Sequence, residues 1–315
     1  MAAQTDVSFI IVNWNTKDIV LQCIDSLLQK KGNYTQEIIV VDNASSDGSS
    51  DAIKTKYPEV QLIQNERNLG FGKANNIGIK KSEGMYICLL NSDIQVLDKT
   101  ISFMINFMNN NKEVGLSGPK ILSPDMELQY SCKNFPSIRT QVCETLSLNQ
   151  IFPNAVLFSG ECMTFFKHDR RANVDWLIGC FMMIRREVFV TVGYFDELFF
   201  FYSEETDLCK RMHDVGWEIV YLPEVAAIHH GGSSSKQNPL RFSTEQRLSE
   251  LKYWKKHKAL PARIVFSTLL LFHHTTRLGI CYLVCMLNAS DRKSIDLLIK
   301  KHRECISTVI KFGII

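Results

Sequence analysis

The sequence predicts an α/β fold: a mainly parallel sheet flanked by helices, followed by a C-terminal helical extension. Three observations predict it. Short, almost wholly apolar runs alternate with stretches of helical periodicity through the first third of the chain, the pattern of βαβ units. Each of the first four runs stops at a polar or glycine-rich segment, and in such sheets ligands bind beyond the carboxyl ends of the strands. A long stretch near the C-terminus is apolar over helical rather than strand lengths.

In chain order, Val7 to Val12 reads as a buried strand ending in Asn13-Trp14-Asn15. A helix from about Asp18 to Lys30 carries Ile19, Val20, Cys23, Ile24, Leu27 and Leu28 on one face, and Gly32 stops it. Glu37 to Val41 is the second strand, ending in Asp42-Asn43 and followed by a short helix that Pro58 closes. Val60 to Ile63 is the third, and Asn68-Leu-Gly70-Phe-Gly72-Lys73-Ala-Asn75 follows it. Met85 to Leu90 is the fourth, buried on both faces and stopping at Asn91-Ser92-Asp93. Val114 to Lys120 reads as another strand. Periodicity then fades from Ser123 to Asn173, a length more typical of a functional lid or acceptor loop than of a plain connection. Order returns with a strand near Ile184, a helix from Ser203 to Arg211, and two strands at Trp217 to Leu222 and Val225 to Ile228.

The strand ends suggest chemistry. Asn91-Ser92-Asp93 offers oxygen ligands for a hard cation, Mg²⁺ or Mn²⁺, which can hold a diphosphate; turn formation is the competing reading. Asp42 can accept hydrogen bonds from a ribose or a pyrimidine, and Trp14 can stack on a base. Gly70-Phe-Gly72-Lys-Ala-Asn75 superficially matches a dinucleotide fingerprint, but it follows the third strand and ends in Asn75 instead of a small residue. Its helix start still suits phosphate or ribose, with Lys73 in support. Six aromatics from Tyr194 to Tyr202 precede Glu204-Glu205, and such a wall raises a carboxyl pKa towards the range of a general base. Helix capping and an Asp207–Arg211 pair explain the same acids structurally. Of His229 and His230, adjacent on a strand, at most one reaches a given metal.

Composition is that of an ordinary globular protein, 45% hydrophobic and 22% charged. A net charge of +3 without an aromatic-interleaved basic stripe argues against nucleic acid. Ten scattered cysteines without a C-x-x-C pair point to a reducing compartment and no cysteine-rich metal site. The N-terminal hexapeptide lacks the features of a signal peptide, so a cytoplasmic location is expected.

Val41-Asp42-Asn43-Ala-Ser-Ser-Asp47-Gly48, Asn68-x-Gly70-Phe71-Gly72-x-x-Asn75-Asn76-x-Gly78 and Leu90-Asn91-Ser92-Asp93 together resemble the family 2 glycosyltransferases, especially the branch that includes bacterial rhamnosyltransferases. The resemblance extends through Trp176 to Arg211 and spans roughly three quarters of the chain. It implies a GT-A fold over residues 1–235, with a donor half 1–120 and an acceptor half 121–235, and a helical extension over 236–315. It also implies inverting transfer from a UDP- or dTDP-sugar to a saccharide or lipid-linked saccharide in cell-surface polysaccharide synthesis. The family's acid–x–acid motif falls on Asn91-Ser92-Asp93, making Asp93 the metal ligand, Asn91 a supporting one and His229 a third. Donor contacts are expected from Trp14, Asn15, Asp42, Asn43, Asn68, Gly70, Lys73, Asn75, Asn91 and Ser92, and acceptor-side contacts from Trp176, Gly179 and Arg211. The catalytic base falls on Glu205, with Glu204 and Asp207 as alternatives because Glu stands where the family has Asp. A silent sugar-nucleotide-binding scaffold and a nucleotidyltransferase are the rival functions; neither accounts for the aromatic–acid–Arg block at 194–211.

Residues Arg241 to Lys258 read as a basic helix, and Ile264 to Leu287 as an apolar one whose longest uncharged run, Ile264 to Thr276, is 13 residues. That falls short of the roughly 20 needed to cross a bilayer. Peripheral attachment to the inner face of the plasma membrane is expected; packing on the catalytic domain, or on a partner subunit in a homodimer, is the alternative.

Overall fold

The structure is a computed structural model that describes residues 5–30, 32–232, 238–287 and 292–313. The run from Ser233 to Pro239 reads in the sequence as a linker or mobile loop, and most of it lies outside the described residues. The chain divides into two compact units. The first takes in the chain up to Lys133, Lys167–Phe200, and the stretch from Glu204 to the glycines after His229; the second comprises Asn134–Phe166, Phe201–Ser203 and the C-terminal helices.

The first unit follows the expected alternation: β1 (Val7–Asn13), α1 (Lys17–Gln29), β2 (Gln36–Asp42), α2 (Ser49–Lys56), β3 (Gln61–Gln64), α3 (Phe71–Lys81) and β4 (Tyr86–Asn91). It continues through β5 (Ile94–Val96), α4 (Thr100–Asn110), β6 (Val114–Leu122), β7 (Leu128–Gln129) and β8 (Cys132–Lys133). After the segment that belongs to the second unit, with α5 (Ile138–Thr145) and α6 (Leu148–Ile151), come β9 (Ala172–Asn173), β10 (Trp176–Leu177), β11 (Phe181–Arg185), α7 (Arg186–Val192), α8 (Glu204–Asp214) and β12 (Glu218–His229). The main sheet runs β3-β2-β1-β4-β11-β6-β12-β5. Strands β1 to β4 are mutually parallel, while β11 enters antiparallel between β4 and β6. The two strands expected at 217–228 are one, β12. Its register slips between Leu222 and Ala226, around Pro223, which has no N–H to give to the ladder.

The core explains why the strands read as unbroken apolar runs. Phe9, Ile10 and Ile11 of β1 and Ile87, Cys88 and Leu89 of β4 are all fully buried, because helices cover both sheet faces. Helix α1 contributes Val20, Cys23, Ile24 and Leu27. Helix α3 approaches β1 and β2 so closely that a Cβ on Gly78 would lie 2.5 Å from Ile10 Cγ2. What this packing positions is a row of strand ends: Asn13 pairs with Asp42, and Val12 with Asn91.

In the second unit, α9 (Pro239–His257), α10 (Leu260–Leu287) and α11 (Arg292–Phe312) pack with α5. The Trp254 and Phe266 rings stack at 4.1 Å. Arg277 reaches the terminal carbonyls of α5 at Glu144 and Thr145. Helix α10 is unbroken for 28 residues and is long and apolar enough to cross a membrane by length and composition.

Candidate active site

The ends of β1, β2 and β4 are tied together by a relay of buried polar groups. Asn13 gives both amide protons away, to Asp42 Oδ1 at 2.7 Å and to Ser45 Oγ at 3.0 Å. The other Asp42 oxygen accepts the Ser45 N–H at 2.9 Å, so this carboxylate, 2% exposed, is held from two sides. Thr16 donates to Asn13 Oδ1 and lies 2.8 Å from Ser92 Oγ; with one proton on each hydroxyl, Ser92 donates to Thr16. Asn15, in the left-handed region, accepts the Ser46 N–H. Half-buried Trp14 stands between these two asparagines. Strand-end chemistry is thus fixed in shape before any ligand arrives.

Asn43, Asn68 and Gly70 form the next turn of the wall. Asn43 donates to the Gly70 carbonyl and accepts from Asn65, and Asn68 accepts the Gly70 N–H. Helix α3 begins here, and Asn76 clasps the backbone of Phe195 by both its amide atoms, at 2.9 and 3.0 Å. Asn75 donates to the Phe71 carbonyl, and its buried Oδ1 has no partner among the described residues. Lys73 is paired with Glu197 at 2.7 Å on the surface.

Asp93 and His229 meet because β5 and β12 pair antiparallel, with His229 opposite Ile94 and the His230 N–H on the Asp93 carbonyl. His229 Nε2 lies 3.3 Å from Asp93 Oδ1. The tautomer follows from Gln129: its amide NH₂ donates to the His229 carbonyl at 2.8 Å, which turns its Oε1 onto His229 Nδ1 at 2.9 Å. Nδ1 must therefore carry the proton, and a neutral ring turns the Nε2 lone pair towards a carboxylate oxygen. Two acceptors facing each other call for a proton or a cation between them. Among the described residues no trio of His, Cys, Asp or Glu could hold a metal. Mg²⁺ and Mn²⁺ fit the pair nonetheless, because Mg²⁺ is commonly held by one or two carboxylates plus substrate phosphates. Asn91 ends β4 two residues before Asp93, its backbone N–H on the Cys180 carbonyl.

Helix α8 opens on the acid pair. Glu204 is 2% exposed and packs beside Gly72 of α3; Glu205 packs against Gly179. The Oε2 atom of each is buried without a hydrogen-bond partner among the described residues. Burial, and then the charge of Glu205, push Glu204 well above the usual carboxylate range, and burial raises Glu205 as well. Asp207, fully buried, is instead committed to Arg211 Nε at 2.9 Å. Arg211 also donates to the Val192 and Tyr194 carbonyls, so this pair anchors α8 to the end of α7. Trp176 sits opposite Lys133 in the β8–β10 ladder.

The sequence model of Glycosyl transferase family 2 matches residues 8–193. The chain is a family 2 glycosyltransferase. Among its relatives, an N-acetylglucosaminyl-diphospho-decaprenol L-rhamnosyltransferase of Mycobacterium tuberculosis is 29% identical, over 64% of this chain and 69% of that protein. Rhamnosyltransferase WbbL of Escherichia coli is 27% identical, over 71% and 83% respectively. The fold is GT-A: the mannosyltransferase PcManGT of Pyrobaculum calidifontis, solved with GDP-Man and Mn²⁺, superposes with a TM-score of 0.58 over 98% of this chain and 87% of that one, at 14% identity.

In this glycosyltransferase Cys180 lies between the two candidate groups: its carbonyl accepts the Asn91 N–H, and Glu205 packs against its neighbour Gly179. Burial pushes its thiol up to about 12, and the charges of both Asp93 and Glu205 add to the rise. Glu204, by contrast, faces the α3 side. The sequence reading missed Gln129, Asn13 and Thr16. For Asn13 and Thr16 the signal was present, since both flank the Trp14-Asn15 strand end that was singled out. Gln129 had none, being 100 residues from the histidine it orients.

Proposed function

We propose that this glycosyltransferase moves a sugar, with inversion, from a UDP- or dTDP-sugar to a hydroxyl of a saccharide or lipid-linked saccharide acceptor. L-Rhamnose is the first donor sugar to test, since two relatives are named rhamnosyltransferases. Residues 1–235 form the catalytic part in this reading, and residues 236–315 meet a membrane surface on the cytoplasmic side. The observation that carries the mechanism is geometric: the Cys180 carbonyl accepts the Asn91 N–H at the end of β4, and Glu205 packs against the neighbouring Gly179.

Glu205 takes the proton of the acceptor hydroxyl at its unpartnered Oε2. The acceptor oxygen forms its bond to the sugar C1 on the face opposite the diphosphate. The C1–O bond to the diphosphate breaks, and its electron pair leaves with the nucleoside diphosphate. Asp93 and His229, with Asn91 in support, would hold a divalent cation, which would neutralise the charge that develops on the leaving group. Desolvation of Glu205 brings its pKa towards the working pH, where a general base is most effective. The relay Ser92–Thr16–Asn13–Asp42 keeps the donor side rigid, so little reorganisation accompanies binding.

The test is a donor panel of UDP- and dTDP-sugars on the purified protein, with Mg²⁺, Mn²⁺ or chelator. One donor turned over with metal and silent with chelator supports the reading. Tight donor binding without hydrolysis or transfer to any acceptor contradicts it and favours the scaffold.

A further inference from the structure

The geometry points to the distal half of the α10–α11 hairpin as a docking surface for an anionic lipid membrane, with the apolar face of α10 seated in one leaflet and the charged residues of α11 at its headgroups, without crossing the bilayer. This rests on the membrane-surface reading above and names its segment, its depth and its lipid class. The hairpin is pinned at its proximal end, where Ser267 donates to the Gly313 carbonyl and the His274 and His302 Nδ1 atoms lie 3.0 Å apart. These two contacts make the helices antiparallel, so the end of α10 and the start of α11 form the distal end. The buried residues of α10 are Phe266, Ser267, Leu270 and His274, and none follows His274. On α11 the first buried residue among those described is His302.

Over this half α10 exposes the reverse of a water-facing surface, while α11 is amphipathic there, exposing Arg292, Ser294 and Asp296 beside Leu297 and Leu298. Ile280, Leu283, Met286, Leu287, Leu297 and Leu298 are all exposed. The polar groups of α10 are turned inward, His274 to His302 and Arg277 to the α5 carbonyls. Monomeric soluble proteins rarely leave so contiguous an apolar surface uncovered. From Leu278 to Leu287 the helix is about 15 Å long at 1.5 Å per residue, about half of the roughly 30 Å hydrocarbon core. Crossing would draw His273, His274 and Arg277 out of their protein contacts into lipid, at high cost.

Charge selects the occupant. Residues 236–315 hold 15 of the chain's 36 Lys and Arg but only 5 of its 33 Asp and Glu. The extension is therefore strongly cationic on a chain whose remainder is net acidic. A second copy would set two such cationic extensions face to face, whereas an anionic leaflet attracts them, at about fivefold in partition for each basic residue near the surface. Exposed Arg292, Lys300, Lys301 and Arg303 of α11 supply that attraction.

The test is co-sedimentation of the full chain with phosphatidylcholine vesicles and with 7:3 phosphatidylcholine:phosphatidylglycerol vesicles. Donor binding and light-scattering mass are measured on the same samples without lipid. The expected result is a monomer whose partition onto the anionic vesicles exceeds that onto neutral ones by at least about tenfold and falls as salt is raised. Leu283→Glu with Leu287→Glu, both at exposed positions, should lower partition at least about tenfold and leave donor binding unchanged. Equal partition of this double variant and the parent overturns the proposal, as does absence of binding to either vesicle. A dimer that the same two substitutions split also overturns it and assigns the face to a second copy. Loss of donor binding in the parent with vesicle binding intact would sink the catalytic reading and leave the docking surface standing.

Discussion

Gly70→Ala is expected to damage this protein more than any other single added methyl group near the site. Gly70 has φ +86° and ψ 175°, a backbone region essentially restricted to glycine and costing other residues about 1–3 kcal/mol. Its added Cβ would also collide with the Phe200 carbonyl oxygen, which accepts the Phe71 N–H at 2.9 Å. Moving that carbonyl forfeits a hydrogen bond worth about 1 kcal/mol, for a total of about 2–4 kcal/mol. At roughly 2–4 °C per kcal/mol for a unit of this size, the melting temperature should fall by about 4–16 °C. The assay is thermal unfolding followed by fluorescence, with donor affinity measured below the transition. Gly279→Ala is the control: a Cβ there meets nothing within 4 Å, and alanine stabilises a helix by up to about 1 kcal/mol relative to glycine. A Gly70→Ala protein that melts within about 2 °C of the parent and binds donor equally would refute the reasoning.

Gln129→Leu should weaken Mn²⁺ binding in the presence of nucleoside diphosphate about 10–100-fold, because the His229 tautomer is no longer set; unchanged affinity by calorimetry contradicts the tautomer assignment. Glu204→Gln should stabilise the protein at pH 8 and much less at pH 5. A folded-state pKa raised by burial and by Glu205 contributes stability below the unfolded value, and that contribution is lost as pH rises. A pH-independent difference in melting temperature would count against it. Arg211→Met takes the guanidinium away from the buried Asp207 carboxylate, at about 3–5 kcal/mol; adding Asp207→Asn should recover part of the loss, and strict additivity in that double-mutant cycle would argue against the pair.

The parallel half of the sheet was legible because helices cover both its faces, leaving β1 and β4 as uninterrupted apolar runs. The positions of Asp93 beside His229 and of Glu204-Glu205 at the start of α8 could be picked out because a strand end and a helix start are marked locally by residue type. Helix α4 was overlooked although Ile101, Met104, Ile105 and Met108 recur at helical spacing; it lacks a side-chain cap and begins after a left-handed Lys99. Strand β12 read as two because Pro223 interrupts it. Gln129 and the Arg277–Glu144 contact depend on pairings a hundred residues or more apart, and no local periodicity encodes those. Asp207 offered itself as a base in the sequence, and only the short Arg211 contact shows how its charge is held.

The most direct test of the central claim compares the pH–rate profile of sugar transfer for the parent and Glu205→Gln, at saturating donor and metal. The account predicts an acid limb in the parent above the ordinary glutamate range, since burial raises Glu205. It also predicts a rate lower by about 10²–10⁴-fold in Glu205→Gln, with donor affinity retained. Transfer by Glu205→Gln at the parent rate, with the same acid limb, would contradict it and return the role of base to Glu204.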